Sequence, residues 1–173
     1  MDANLGLKQS DLRVIAERCD AFLADTYLLY LKTQNFHWNV TGSNFFEYHL
    51  LFEKEYKELA LMADDLAERI RTLGYRAPGS FKDFMKLTQL EEDTVDKDLP
   101  SGPQMILVLE RDHERIAKSI RDFLPECQKV KDEGTYDLLV KQLGQHEKAA
   151  WMLRNIISAP KDVVDVRQAR IVS

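Results

Sequence analysis

Two histidines, His37 and His49, bracket a glycine-containing break in the stretch NFHWNVTGSNFFEYH, and carboxylates follow at Glu53, Asp64 and Glu68. Imidazole nitrogen and carboxylate oxygen are the donors that hold divalent first-row metals, so the question is whether these five residues can reach one ion. On a helix, at about 100° per residue, Glu53, Asp64 and Glu68 fall about 40°, 60° and 100° from His49 and share one stripe. Phe52, Leu59, Met62, Leu66, Ile70 and Leu73 gather on another side, as a core-facing surface requires. Ala60, Ala63 and Ala67 flank the stripe and are small enough to let a second helix come close.

Length decides how the stripe can be used. Glu53 and Asp64 are eleven residues apart, which is about 16 Å of helix. Bonds from His or carboxylate to a metal are only about 2.0–2.2 Å. One chain cannot wrap both ends around one ion. If the break over residues 39–43 turns the chain, His37 joins His49 and Glu53 at one end. Asp64 and Glu68, one helical turn apart, make a carboxylate pair at the other. The halves meet only when a second copy lies antiparallel across a two-fold axis, which predicts two equivalent sites per dimer. Two imidazoles with carboxylates suit Fe(II), Zn or Mn, and spacing does not choose among them. The bland alternative is a satisfied histidine at a helix end beside a solvated, carboxylate-bearing face.

The elements that must position these residues follow from periodicity and punctuation. The 173 residues, 45% hydrophobic and 31% charged, fit one folded domain over 1–173. Leu12, Ile15, Cys19, Phe22, Leu29 and Phe36 recur near helical spacing and predict a first helix over 8–38. A second is expected over 44–73, with Asn44 and Glu47 as a capping-box variant. The segment GYRAPGS ends it, and 81–90 can form a short helix in the connection. Pro100, Ser101 and Pro103 open a third long helix, which Pro125 should stop at about 124. A fourth is expected over 134–158, before Pro160 and a tail over 159–173. Four long helices with one longer connection give an all-α fold, a four-helix bundle.

Composition narrows the function. The net charge of −5 opposes nucleic acid and suits cations. No apolar run approaches a membrane span, and MDANLGLKQSD lacks the basic-then-apolar order of a signal peptide, so a cytoplasmic location is expected. Cys19 and Cys127 fall within helix-like segments and are expected as reduced thiols.

The stretch HWNVTGSNFFEYHLLFEKEYKELALMADDLAERI closely resembles the signature of Dps-type mini-ferritins, the DNA-protection-during-starvation family. The matched features are His37-Trp38-Asn39, Gly42, Phe45, His49, Glu53, Asp64 and Ala67-Glu68-Arg69, without a gap. HEKAAWMLR, from His146 to Arg154, is similar to the family's last long helix, and the order of helices agrees over nearly the whole chain. The resemblance implies a ferritin-like bundle with a short extra helix between the second and third long helices. It also implies a hollow dodecamer built from two-fold dimers. Such a cage oxidises Fe(II) with hydrogen peroxide or oxygen, stores the ferric product and protects against oxidative damage. The implied ligands of an intersubunit di-iron-type ferroxidase site are His37, His49, Glu53, Asp64 and Glu68, with Zn as a competitor. Glu53 stands where many members have Asp, which keeps a carboxylate with a longer reach. Trp38, next to His37, is a candidate secondary electron donor, or equally a packing anchor at a dimer contact.

Other residues offer weaker signals. Glu110 and His113 have the Glu-x-x-His spacing that ordinary ferritins use inside the bundle. A centre there needs further inward carboxylates, and His113 shares the apolar line of Leu109, Ile116 and Ile120, so a packed core histidine is expected. His146 has no partner legible in the sequence. Asp132, Glu133 and Asp137 open the last long helix, where family members line an iron-entry pore. Asp137 is the pore candidate, against the alternative of helix-start carboxylates favoured by the dipole. Lys8 stands against Asp2 and Asp11 near the N-terminus, and Lys161, Arg167 and Arg170 against Asp162 and Asp165 in the tail. Neither end resembles a phosphate-binding arm, so strong direct DNA binding is not expected. The alternatives to an iron cage are a nucleoid-associated DNA-binding protection protein with secondary iron chemistry, and a helical interaction module.

Overall fold

The computed structural model describes residues 4–92 and 99–158. They form α1 (Gln9–Asn39), α2 (Phe45–Thr72), α3 (Phe81–Leu87), α4 (Gly102–Val130) and α5 (Glu133–Ile157). This is an all-α ferritin-like bundle: α1 packs chiefly on α2, α4 on α5, and short α3 lies against α1. Leu12, Ile15, Cys19, Phe22, Leu29 and Phe36 of α1 are all buried, as are Phe52, Leu59, Met62, Leu66 and Ile70 of α2 and Leu73 just beyond it. The helical spacing of apolar residues therefore does mark the faces that form the core. Among the described residues no helix is long and apolar enough to cross a membrane. The tail charges Lys161, Asp162, Asp165, Arg167 and Arg170, together with Asp2, lie outside the described residues.

Three expectations need correction. Pro125 does not stop the third long helix at 124; α4 continues to Val130. A proline inside a helix costs about 3 kcal/mol, and contacts further along the chain offset it. Cys127, beyond the proline, is fully buried. Lys131 takes the left-handed conformation (φ 62°). Its N–H and that of Asp132 return to the carbonyls of Gln128 and Cys127 at 3.1 and 2.9 Å, a Schellman closure. The short helix ends at Leu87 rather than at 90, because Asp25 captures the chain that follows. The Asp25 carboxylate accepts from the Thr88 hydroxyl at 2.7 Å and the Gln89 amide at 2.6 Å. Asn44 makes no side-chain cap on α2; its side chain accepts from the Ser43 hydroxyl at 2.9 Å. A polar clamp of the expected kind appears instead at α4, where Gln104 Oε1 accepts from the Ser101 amide at 2.9 Å.

Polar groups also tie the helix pairs together inside the bundle. Lys32 of α1 donates to Asp112 of α4 at 2.7 Å. His113 of α4 and His146 of α5, both buried, meet Nδ1 to Nδ1 at 2.9 Å. One imidazole must donate and the other accept, so the contact needs a neutral ring. Burial pushes His113 down to about 4. Burial, and then the facing His113, hold His146 well below its ordinary value.

This depression has a definite sign. In the unfolded chain the histidines protonate near 6.5, whereas the folded pair resists protonation. Stability is full above that value and falls as pH drops toward about 4, by about 3 kcal/mol for a shift of this size. Thermal melts between about pH 7.5 and about pH 5 should show a steep loss of Tm in the wild type, and a much shallower one in a His113→Gln/His146→Gln variant. Equal slopes in the two proteins contradict the assignment.

Candidate metal centre

The turn between α1 and α2 is built to bring two helix ends side by side. Val40 closes α1 through its N–H to the Phe36 carbonyl at 2.9 Å and is buried. Gly42 then takes φ +110°, a region that suits glycine. The start of α4 presses on this turn: a Cβ on Gly102 would sit 2.7 Å from the Tyr48 ring. The last turn of α1 and the first turns of α2 are thus held together.

His37 and His49 stack across that junction, with ring centroids 3.9 Å apart and planes at 22°. Each ring is fixed by the other's backbone. His37 Nδ1 donates to the His49 carbonyl at 2.8 Å, and His49 Nδ1 donates to the His37 carbonyl at 3.0 Å. A carbonyl only accepts, so each Nδ1 carries a proton, and in the neutral ring this leaves the lone pair on Nε2. This is the tautomer a metal ligand needs, with its ring orientation already set. Phe45 stacks on His49 at 5.1 Å, and Tyr56 meets His37 edge-on at 5.2 Å.

Glu53 follows one turn along α2, but its carboxylate turns to Lys57 at 2.5 Å. That bond holds the Glu53 carboxyl below its usual range, helped last and least by His37 and His49. Both side chains are substantially exposed, so the pair is worth little and Glu53 can be released to a cation. Asp64 and Glu68 are exposed one turn apart further along α2, the nearer of them, Asp64, about 16 Å from Glu53 by helix rise. Phe46 and Leu61, 66% and 68% exposed, and Leu50 share that surface. Among the described residues no three His, Cys, Asp or Glu side chains gather closely enough to hold a metal. The structure therefore brings His37 and His49 together, keeps Glu53 nearby but paired to Lys57, and leaves Asp64 and Glu68 at the far end.

The far end is anchored by the residue next to Glu68. Arg69 donates to Asp132 at 2.5 Å and to the Thr135 hydroxyl at 2.8 Å. Asp132 is buried and accepts from the Thr135 amide at 2.9 Å, capping α5. A Cβ on Gly134 would come within 3.0 Å of the Arg69 guanidinium. Asp132 is thus a buried structural carboxylate, whereas Asp137 is exposed. Glu110 pairs outward with Arg154 at 2.8 Å rather than joining His113. Trp38 is 62% exposed.

Sequence reasoning did not find Lys57, Tyr56 or the Arg69–Asp132 tie. Lys57 was discoverable from its i,i+4 spacing to Glu53. Tyr56, seven residues from His49, lies on the same side of the helix. Arg69 and Asp132 are 63 residues apart, and no local pattern links them.

Residues 20–162 match the model of the ferritin-like domain. A low temperature-induced protein of Nostoc is 37% identical over 155 residues, covering 89% of this chain and 86% of that protein. The DNA protection during starvation protein of Helicobacter pylori is 34% identical over 130 residues, covering 75% of this chain and 89% of that protein. The crystal structure of the Dps protein of Vibrio cholerae, described as a member of the ferritin-like diiron-carboxylate superfamily, superposes with a TM-score of 0.85. It is 33% identical and covers 91% of this chain and 98% of that one.

Cutting the Arg69 anchor should be costly, because it leaves the Asp132 carboxylate buried without its cation. Arg69→Met is expected to lower unfolding stability by about 3 kcal/mol, measured by denaturant melts followed by circular dichroism. A loss below about 1 kcal/mol, as for an exposed pair, contradicts the anchoring role.

Proposed function

Since the chain belongs to the Dps-type mini-ferritins of the ferritin-like family, we propose that it is a ferroxidase and iron-storage cage protein. It oxidises Fe(II), with hydrogen peroxide as the oxidant, and sequesters the ferric product. The observation that carries this reading is the split donor set along α2, completed at its first end by His37 from the last turn of α1. Two imidazoles with Nε2 lone pairs stand at one end, and two exposed carboxylates stand at the other. A second copy lying antiparallel along α2 supplies what each end lacks. The exposed Phe46, Leu50 and Leu61 on the same surface favour such a partner, since apolar groups gathered on one face mark interaction surfaces. The family's dodecamer, built from two-fold dimers, is the proposed assembly.

In this dimer His37 and His49 of one subunit bind Fe(II) with Asp64 and Glu68 of the partner subunit. Glu53, freed from Lys57, joins as the third ligand of its own chain. The carboxylates can bridge to a second, weaker ferrous position. Two ferrous ions then supply both electrons that peroxide needs, and water forms without release of hydroxyl radical. Imidazoles and carboxylates also bind Zn, which is therefore a competitor for the site. Each chain adds a charge of −5, so the cage draws Fe(II) and repels DNA. A gel shift at physiological salt that shows tight DNA binding contradicts that last point.

Adding Fe(II) and then peroxide to the metal-free protein should give rapid oxidation. A His37→Ala/His49→Ala variant should lose at least about tenfold in rate. Mixing that variant with an Asp64→Ala/Glu68→Ala variant, after dissociation and reassembly, should restore one intact site in each mixed dimer. Oxidation at the buffer's own rate by the wild type, or no recovery on mixing, contradicts the proposal.

A further inference from the structure

A carboxyl stands where α2 is otherwise apolar. Glu55 lies three residues after Phe52 and four before Leu59, so it shares their core-facing side of the helix. It is 5% exposed, and its Oε2 atom is buried with no hydrogen-bond partner among the described residues. Gln145 of α5 presents a second such oxygen, Oε1. Both residues line one cavity of about 230 Å³ in the groove between α2 and α5. Glu55 is two residues from Glu53 and so about 160° around the helix from it. The cavity therefore lies on the side of α2 away from the metal-binding stripe.

Burying an acceptor without a donor lowers stability, and folded proteins hold few such groups. Burial, and then Glu58, push the Glu55 carboxyl up to about 8, as befits an acid that no cation faces. A leucine at this position would remove the penalty, so the carboxyl calls for a ligand that supplies what the chain does not. The rest of the lining narrows its chemistry. Leu51 and Met152 give an apolar wall, and Lys54, Glu58 and Lys148 stand at the mouth, all three exposed. Lys54 lies 3.8 Å from Glu58, so these two charges offset each other and Lys148 leaves the mouth positive. Gln145 and Lys148, three residues apart, are neighbours on the surface of α5, close enough for one small molecule to bridge.

The inner end thus offers acceptor oxygens and requires N–H donors, whereas the mouth offers a cation and requires an anion. A simple amine leaves Lys148 unmatched, and a simple carboxylate brings further oxygens against those of Glu55 and Gln145. A molecule with both charges close together and a short apolar chain satisfies all three regions. The cavity has the volume of roughly seven or eight waters at about 30 Å³ each, which limits the ligand to about as many heavy atoms. We propose that the α2–α5 cavity binds a small apolar α-amino acid, with its ammonium on Glu55 and Gln145, its carboxylate on Lys148 and its side chain against Leu51 and Met152. The site is complete within one chain and does not depend on the iron-oxidising function.

The test is a saturation-transfer-difference NMR titration of the assembled, metal-free protein with L-valine. Isobutylamine, which lacks the carboxylate, and isovalerate, which lacks the ammonium, are the controls. Valine should bind saturably, and each control at least about tenfold more weakly. Glu55→Leu should weaken valine binding at least about tenfold, and Lys148→Ala at least about threefold. Without ligand, Glu55→Leu should melt no lower than the wild type, because the carboxyl has no bond to lose. A clearly lower Tm in that variant gives the carboxyl a structural role and overturns the site. So does unchanged affinity in Glu55→Leu, binding of either control as tight as that of valine, or no saturable binding by the wild type. Crystals grown at saturating valine that hold only water in the cavity overturn it as well.

Discussion

About 16 Å of rigid helix lies between Glu53 and Asp64, and no side chain is long enough to close that gap. This separation governs how the fold can be used. A single chain has nitrogen donors at one end of α2 and oxygen donors at the other, with apolar side chains on the same surface. The interior of the bundle is no alternative. His113 is engaged with His146, and Glu110 is drawn outward by Arg154. On the proposed reading, chemistry that needs both donor types falls at a contact between copies rather than in the core.

The two ends of α2 are prepared differently. At the histidine end the turn through Gly42 lets each imidazole bond the other residue's carbonyl. Tautomer and ring orientation are thus set by the backbone before any ligand arrives, and little remains to be ordered on binding. At the carboxylate end Asp64 and Glu68 face solvent, and the rigidity comes from Arg69, which ties α2 to the buried cap of α5. Glu53 lies between these regimes, near the imidazoles but held by an exposed lysine. One strand of logic connects these features: the backbone around the donors is fixed, and the carboxylates keep the freedom to take up a metal.

Much of this was legible in the sequence because helical geometry is periodic. The core faces of α1 and α2, the stripe of His49, Glu53, Asp64 and Glu68, and the break after Asn39 all follow from spacing alone. What was not legible depends on contacts between distant segments. Pro125 signals a stop, yet burial of Cys127 and the Schellman closure at Lys131 carry α4 onward. Asn44 has the right type for a cap, but Ser43 engages its side chain. Asp132 looked like one of several helix-start carboxylates until Arg69 arrived from α2. His146 gained a meaning only when α4 placed His113 against it. Tyr56 lies on the histidine side of α2 by spacing, but its ring contact with His37 of α1 has no signature in either helix by itself.

The central claim is that each metal site is assembled from two chains. The direct measurement is anomalous diffraction from crystals soaked in Fe(II) under anaerobic conditions, or in Zn as a redox-inert substitute. The account predicts two equivalent peaks per two-fold dimer, each bound by His37 and His49 Nε2 of one subunit and by Asp64 and Glu68 of the partner subunit. Metal held by one chain alone, or lodged between His113 and His146 inside the bundle, contradicts it.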